Sequence, residues 1–291
     1  MSSAAPLRVS FEFFPPRSLE ASFRLWETVR VLAPLKPTFV SVTYGAGGTT
    51  RALTHEAVTT ITREFDLTVA AHLTCVDATR AETLAIAESY AAAGVTDLVA
   101  LRGDPPKGAG GFTPHPEGFA DSAELVAALK ETGKFTLRVG AYPEPHPDAP
   151  DAGADVRWLK RKFEAGADAA ITQFFFQAET FLRFRDACAA AGIDRPVVPG
   201  ILPIENWTGA RNFARRCGAH VPAWMDEAFA KAERDGRSDL LATALCVDLC
   251  DRLRAEGVED LHFYTLNRPQ LTRDVCAALG VVPQTSLERV A

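Results

Sequence analysis

Short apolar runs recur along the chain, each closed by polar residues, glycine or proline, with longer stretches of helical spacing between them. A strand buried on both faces reads as an apolar run of about 4–8 residues, whereas an amphipathic helix repeats its apolar positions every three or four. The clearest case is Asp97-Leu-Val-Ala-Leu-Arg-Gly-Asp104, followed by Pro105 and Pro106. Its start is core-like, Gly103 permits a sharp exit and the prolines stop a strand ladder. Val9-Ser-Phe-Glu-Phe-Phe14 predicts an earlier strand with Phe11 and Phe13 on one face and Ser10 and Glu12 on the other. Further strands are expected at 39–44, 67–74, 136–142, 169–176, 196–203 and 260–266. In the sixth, Ile171, Gln173 and Phe175 should share a face; Pro199 should make the seventh irregular. Helices are expected at 18–33, 50–64, 78–94, 117–132, 153–165, 179–191, 206–216, 222–231, 238–256 and 269–279, with Asn206 capping one of them. Two Gly- and Pro-rich loops, 107–118 and 144–150, follow the fourth and fifth strands.

Eight strands alternating with helices predict an α/β fold of the (β/α)8 TIM-barrel type, in one catalytic domain over residues 1–291 with loose ends at 1–8 and 282–291. A doubly wound sheet with a dinucleotide fingerprint is disfavoured, because neither Gly45-Ala-Gly-Gly48 nor Gly108-Ala-Gly-Gly111 completes G-x-G-x-x-G. Composition adds exclusions. At 47% hydrophobic, 23% charged and net charge −6, with no long basic run, the chain has ample core material and is not expected to bind nucleic acid. No apolar run reaches the ~18 residues of a membrane helix. The first residues lack a signal-peptide segment, so no membrane partner and a cytoplasmic location are expected. The six cysteines form no Cys-x-x-Cys pair, and Cys246 and Cys250 read as packed helix residues; no metal site or disulfide is expected.

In a barrel of this type the working groups sit at the C-terminal ends of the strands. Those ends carry Glu12, Thr43, His72, Arg102, Asp104, Tyr142, Gln173 and Tyr264. Glu12 and Asp104 belong to the first and fourth strands, on roughly opposite sides of the ring, so they should face each other across one mouth. Glu12 lies among phenylalanines, and desolvation there should raise its carboxyl toward general-acid duty, while Asp104 beside Arg102 should stay ionised. Gln173 can offer an amide to a heterocycle edge or bond to backbone, and Phe174, Phe175 and Phe176 can stack on a ligand or fill core. Arg157, Lys160, Arg161 and Lys162 form a basic turn that either holds a phosphate or is merely solvated.

These residues carry a resemblance. Phe11-Glu-Phe-Phe-Pro-Pro16, Val42-Thr-Tyr-Gly45, Ala71-His-Leu-Thr-Cys75, Ala100-Leu-Arg-Gly-Asp104, Ala141-Tyr-Pro-Glu144, Ile171-Thr-Gln-Phe-Phe-Phe176, Pro199-Gly-Ile-Leu-Pro203 and Phe263-Tyr-Thr-Leu-Asn-Arg268 follow in order over nearly the whole chain. Together they resemble the methylenetetrahydrofolate reductase family in its short bacterial form. That resemblance implies an FAD enzyme reducing 5,10-methylenetetrahydrofolate to 5-methyltetrahydrofolate with NADH or NADPH, nicotinamide and folate taking turns at the flavin, and supplying methyl groups for methionine synthesis. It implies Glu12 as the acid that opens the folate's five-membered ring and Asp104 as the carboxylate that stabilises the cationic intermediate. Thr43, Tyr44, Ala46, His72, Arg102, Gly103, Asp104, Ala120, Tyr142, His146, Asp155, Arg161 and Lys162 fall at flavin-contact positions. Gln173, Phe213, Tyr264 and Arg268 fall on the substrate side. A homo-oligomer is implied, since bacterial relatives are often tetramers. Three positions depart from the pattern: Trp158 where an Asn-like flavin contact is expected, Gly209 where some relatives offer Gln, and Phe119 for a common Tyr. Alternatives are a barrel flavoprotein acting on another secondary amine such as proline, a flavin-free variant of the same reductase, and a non-catalytic binding relative.

Overall fold

Val9, Phe11 and Phe13 point out of the first strand into the main apolar core, and Ser10 and Glu12 point into the barrel, as a period of two requires. In the computed structural model, which describes residues 6–45, 50–104 and 112–283, that strand is β1 (Arg8–Phe13). Arg8, expected in a loose end, instead opens β1, where its guanidinium donates to Asp260 at 2.8 and 2.6 Å. The other strands among the described residues are β2 (Val40–Val42), β3 (Val69–Thr74), β4 (Asp97–Leu101), β5 (Thr136–Ala141), β6 (Ala169–Thr172), β7 (Val197–Val198), β8 (Gly200–Ile201) and β9 (Asp260–Tyr264). All pair in parallel, in the order β7-β6-β5-β4-β3-β2-β1-β9-β8.

The ring closes at its seventh position, which two short strands share. Proline has no N–H to give a ladder, so the chain changes partner at Pro199. Before it β7 pairs with β6; after it β8 pairs with β9. The Pro199 carbonyl accepts from His262 N at 3.0 Å, and Gly200 N donates to Thr172 Oγ1 at 2.9 Å. The result is a nearly closed parallel barrel, as alternation of strand and helix predicts.

Ten α-helices follow among the described residues: α1 (Leu19–Leu32), α2 (Arg51–Glu64), α3 (Arg80–Ala92), α4 (Ser122–Glu131), α5 (Ala154–Glu164), α6 (Ala178–Ala190), α7 (Trp207–Cys217), α8 (Ala223–Arg234), α9 (Ser238–Ala255) and α10 (Pro269–Ala278). Local chemistry sets several starts. Asn206 Oδ1 accepts from Gly209 N at 2.8 Å, capping α7. Asp121 Oδ1 accepts from Ala123 N and Glu124 N, so α4 begins five residues later than the expected 117. Residues 117–121 instead fold over α3, with Phe119 fully buried beneath the Arg80 guanidinium.

The layer between sheet and helices is the main core, and it includes Cys246 and Cys250. The barrel interior is narrower. Phe39, Ala70, Val99 and Ile171 fill it, with Leu101 and Tyr264 above. Below them Arg138 pairs with Asp97 and lays its guanidinium 3.9 Å from the Phe39 ring centre. The expected alternation along 169–176 ends early. The ladder stops at Thr172, and Gln173 Oε1 accepts from Phe174 N at 3.0 Å. Phe175 therefore faces outward to stack on Phe181, away from Ile171, while Phe174 turns inward.

Candidate functional site

The C-terminal end of β4 shows why its sequence ends as it does. Gly103 has φ +88°, and a Cβ there would meet Val76 Cγ1 at 2.5 Å. Glycine alone lets the backbone lie this close while delivering Arg102 and Asp104 to one cavity of about 390 Å3. Tyr44, Arg102, Gly103, Asp104, Ala120, Tyr142, His146, Asp155, Arg161 and Lys162 all line it. Thus ten of the residues marked as flavin contacts come together on one wall. Ala46 lies outside the described residues. Thr43 lines a second cavity of about 460 Å3, together with Phe14, Arg17, Arg24 and Arg268. His72 lies deeper, in the barrel.

Charge is distributed unevenly around the first cavity. The basic turn divides: Arg161 and Lys162 face the cavity, whereas Arg157 pairs with Asp151 and Lys160 donates to Ala191 O. Burial lowers the Lys162 ammonium to about 8, against the pull of Asp155 and Asp121, and its Nζ donates to Gly140 O at 2.7 Å. Burial raises the Asp155 carboxyl; its Oδ2 accepts from His146 N, while its buried Oδ1 has no partner among the described residues. Burial and the Asp104 charge push Tyr142 up to about 12. Arg102, expected beside Asp104, donates to Asp148 instead, at 3.0 Å. Tyr142, His146 and Trp158 form an edge-to-face series, with ring centres 4.5 and 6.3 Å apart.

Glu12 lies inside the barrel rather than on that wall. Its side chain is 14% exposed, and Oε2 lies 3.4 Å from His72 Nε2 and 3.9 Å from His262 Nε2. Burial, the largest influence, raises the carboxyl, but His262 and His72 together outweigh it and hold it near 2. The expected upward shift is therefore reversed in the ligand-free protein. The pattern of phenylalanines predicts desolvation correctly; what it hides is two imidazoles brought by strands far away in sequence. Burial also lowers His262 itself, so its contact with Glu12 is that of an imidazole edge facing a carboxylate rather than a full ion pair.

Two of the substrate-side residues, Phe213 and Tyr264, pack about Phe174 in an aromatic cluster beside the seventh strand, and Gln173 precedes Phe174 in the chain. Phe174 stacks on Phe213 at 5.2 Å and meets Tyr264 edge-on at 6.5 Å. Tyr264 donates to Thr172 O at 2.6 Å, and Gly200 leaves room for its ring: a Cβ there would meet Tyr264 Cε2 at 2.6 Å and Thr172 O at 2.1 Å. Arg268 stands apart on the second cavity, paired with Glu205 at 3.0 Å. Sequence reading missed Phe112, Asp121, Ser122 and Gly140 as cavity walls. Only Gly140 carried a signal, a glycine near the end of a strand.

Comparison with known proteins decides the family. A family model described as methylenetetrahydrofolate reductase matches residues 2–280. The chain belongs to the methylenetetrahydrofolate reductase family. It is 48% identical over 278 residues to the 5,10-methylenetetrahydrofolate reductase of Salmonella typhimurium, covering 95% of this chain and 92% of that one. The Escherichia coli reductase is 47% identical with the same coverage. Methylenetetrahydrofolate reductase (NADH) 1 of Arabidopsis thaliana is 32% identical over 96% of this chain but 49% of its own length. The chain thus has the extent of the short bacterial reductases. In fold it is similar, at TM-score 0.61 and 11% identity over 95% of both chains, to an uncharacterized Clostridium thermocellum protein that binds two copies of 5-methyl-5,6,7,8-tetrahydrofolic acid. Among the described residues, no helix of this reductase family member is long and apolar enough to cross a membrane.

Proposed function

We propose that the chain is a flavin enzyme that reduces 5,10-methylenetetrahydrofolate to 5-methyltetrahydrofolate, using FAD and either NADH or NADPH in a ping-pong cycle. The observation that carries this reading is the cavity that gathers Arg102, Asp104, Tyr142, Asp155, Arg161 and Lys162, on a barrel that buries Glu12 within it. The residues fit a flavin dinucleotide. Arg161 and Lys162 supply cations for its pyrophosphate, the unpartnered Asp155 Oδ1 awaits a ribose hydroxyl, and Tyr142, His146 and Trp158 offer aromatic surface. FAD would accept hydride from the nicotinamide and return it to the folate.

The chain's own residues manage charge and protons. A pterin over the mouth excludes water, which strengthens the burial that already pushes the Glu12 carboxyl upward. The carboxyl then holds a proton and gives it to the folate ring nitrogen as that nitrogen's bond to the methylene carbon breaks, the bonding pair staying on nitrogen. The methylene carbon is left as a cationic iminium on the other nitrogen, and the Asp104 carboxylate at the cavity rim offsets that charge. Phe213 and Tyr264, packed about Phe174, would wall the pterin, Gln173 would contact it, and Arg268 would meet the rest of the folate from the second cavity. The activity would feed methionine synthesis in the cytoplasm, from a homo-oligomer. The purified protein should be yellow, with an absorption band that bleaches on adding NADH or NADPH. A protein that reduces methylenetetrahydrofolate while colourless and flavin-free would overturn the FAD assignment.

A further inference from the structure

Ser10 and His262 lie directly opposite each other in the β1–β9 register. Ser10 Oγ is 2.8 Å from His262 Nδ1, much closer than Leu261 O at 3.4 Å. The imidazole is 0% exposed, and its Nε2 has no hydrogen-bond partner among the described residues. The acceptor it faces is Glu12 Oε2, at 3.9 Å, the same oxygen that His72 Nε2 approaches at 3.4 Å. Phe39 stacks flat under the His262 ring, 13° from parallel at 5.5 Å, with the Arg138 guanidinium close to Phe39 in turn, and Tyr264 stands edge-on at 5.4 Å.

This arrangement selects one tautomer. If Nδ1 carried the proton, a bare Nε2 lone pair would face a carboxylate oxygen across 3.9 Å. If the Ser10 hydroxyl donates to Nδ1, Nε2–H faces Glu12 Oε2 instead, a favourable electrostatic contact at 3.9 Å. A second proton on the ring is opposed by burial, by His72 and by Arg138, itself paired with Asp97, and favoured only by Glu12.

We propose that His262, locked by Ser10 as the neutral Nε2–H tautomer, is a positioning residue that ties down Glu12 Oε2 so that Oε1 carries the proton to the folate. The proposal rests on the reductase reading, and its test separates the two. Three variants distinguish roles: His262→Phe keeps the ring stacked on Phe39 and removes the donor, His262→Gln restores an N–H donor, and Ser10→Ala releases the tautomer. In ligand-free protein with 13C-labelled Glu carboxyls, the Glu12 resonance is identified by its loss in Glu12→Gln. We expect it to titrate about one pH unit or more higher in His262→Phe, intermediate in Ser10→Ala, and near wild type in His262→Gln. In rapid mixing, the alkaline limb of folate reduction should move upward by a similar amount in His262→Phe and return in His262→Gln, with flavin reduction by nicotinamide unchanged. An unmoved Glu12 titration, or equal slowing of both half-reactions, would overturn the positioning role. A wild-type protein that fails to reduce the folate at all would sink the reductase reading, while the carboxyl titration would still decide the role of His262.

Discussion

On the proposed function, Lys162 should make FAD binding depend on pH. Its ammonium is drawn down to about 8 by burial, and Asp155 and Asp121 only partly restore it. At pH 7 about nine-tenths of the protein carries the charge; at pH 9 about a tenth does. A bound pyrophosphate holds the ammonium protonated, so above its free value binding must take up a proton. Linkage then weakens the apparent affinity by about tenfold between pH 7 and pH 9. Neighbouring groups leave this window clear: burial moves His146 below its ordinary value and pushes Tyr142 up to about 12, and guanidinium groups do not titrate. Lys162→Met removes a charge-assisted contact worth about 1.5–3 kcal/mol, or roughly 10- to 100-fold in affinity at neutral pH. The assay is equilibrium titration of flavin-stripped protein with FAD, followed by fluorescence quenching from pH 6.5 to 9. Wild type should weaken along that slope and Lys162→Met should be weak and flat. A flat wild-type profile, or a Lys162→Met protein with the same slope, would refute the reasoning.

Two further substitutions test the barrel that holds the site. Arg138→Met leaves Asp97 buried and uncompensated, which should cost about 3–5 kcal/mol of stability by denaturant unfolding, whereas Arg138→Met combined with Asp97→Leu should recover most of it. Gly200→Ala places a Cβ 2.1 Å from Thr172 O and 2.6 Å from Tyr264 Cε2; overpacking of about 1–3 kcal/mol and loss of the Tyr264 near-ultraviolet dichroism should follow.

How much of this was legible beforehand depends on the range over which each feature is determined. The alternation in Val9-Ser-Phe-Glu-Phe-Phe14 was enough to put Glu12 on the face opposite Phe11 and Phe13, and Pro199 was enough to break the seventh strand. Both are local effects, of period and of a missing N–H. The Gly103 turn and the cationic pair Arg161 and Lys162 were likewise visible in short stretches. What failed was pairing between distant segments. The Arg102 partner is Asp148, from the next loop, and no spacing announces it. Glu12 reads as an isolated acid among phenylalanines until β3 and β9 bring His72 and His262 against it, and that reverses the direction of its shift. Phe175 was placed on the wrong face because a period of two holds only while the ladder lasts, and it lasts only to Thr172.

The central claim is that Glu12 supplies the proton for opening the folate ring and takes no part in delivering electrons to the enzyme. Stopped-flow spectroscopy of Glu12→Gln tests it most directly, because flavin absorbance reports both half-reactions in one protein. Reduction by the nicotinamide should proceed at the wild-type rate, and reoxidation by 5,10-methylenetetrahydrofolate should slow by about 10²- to 10⁴-fold. Reoxidation at the wild-type rate, or an equal loss in both half-reactions, would contradict it.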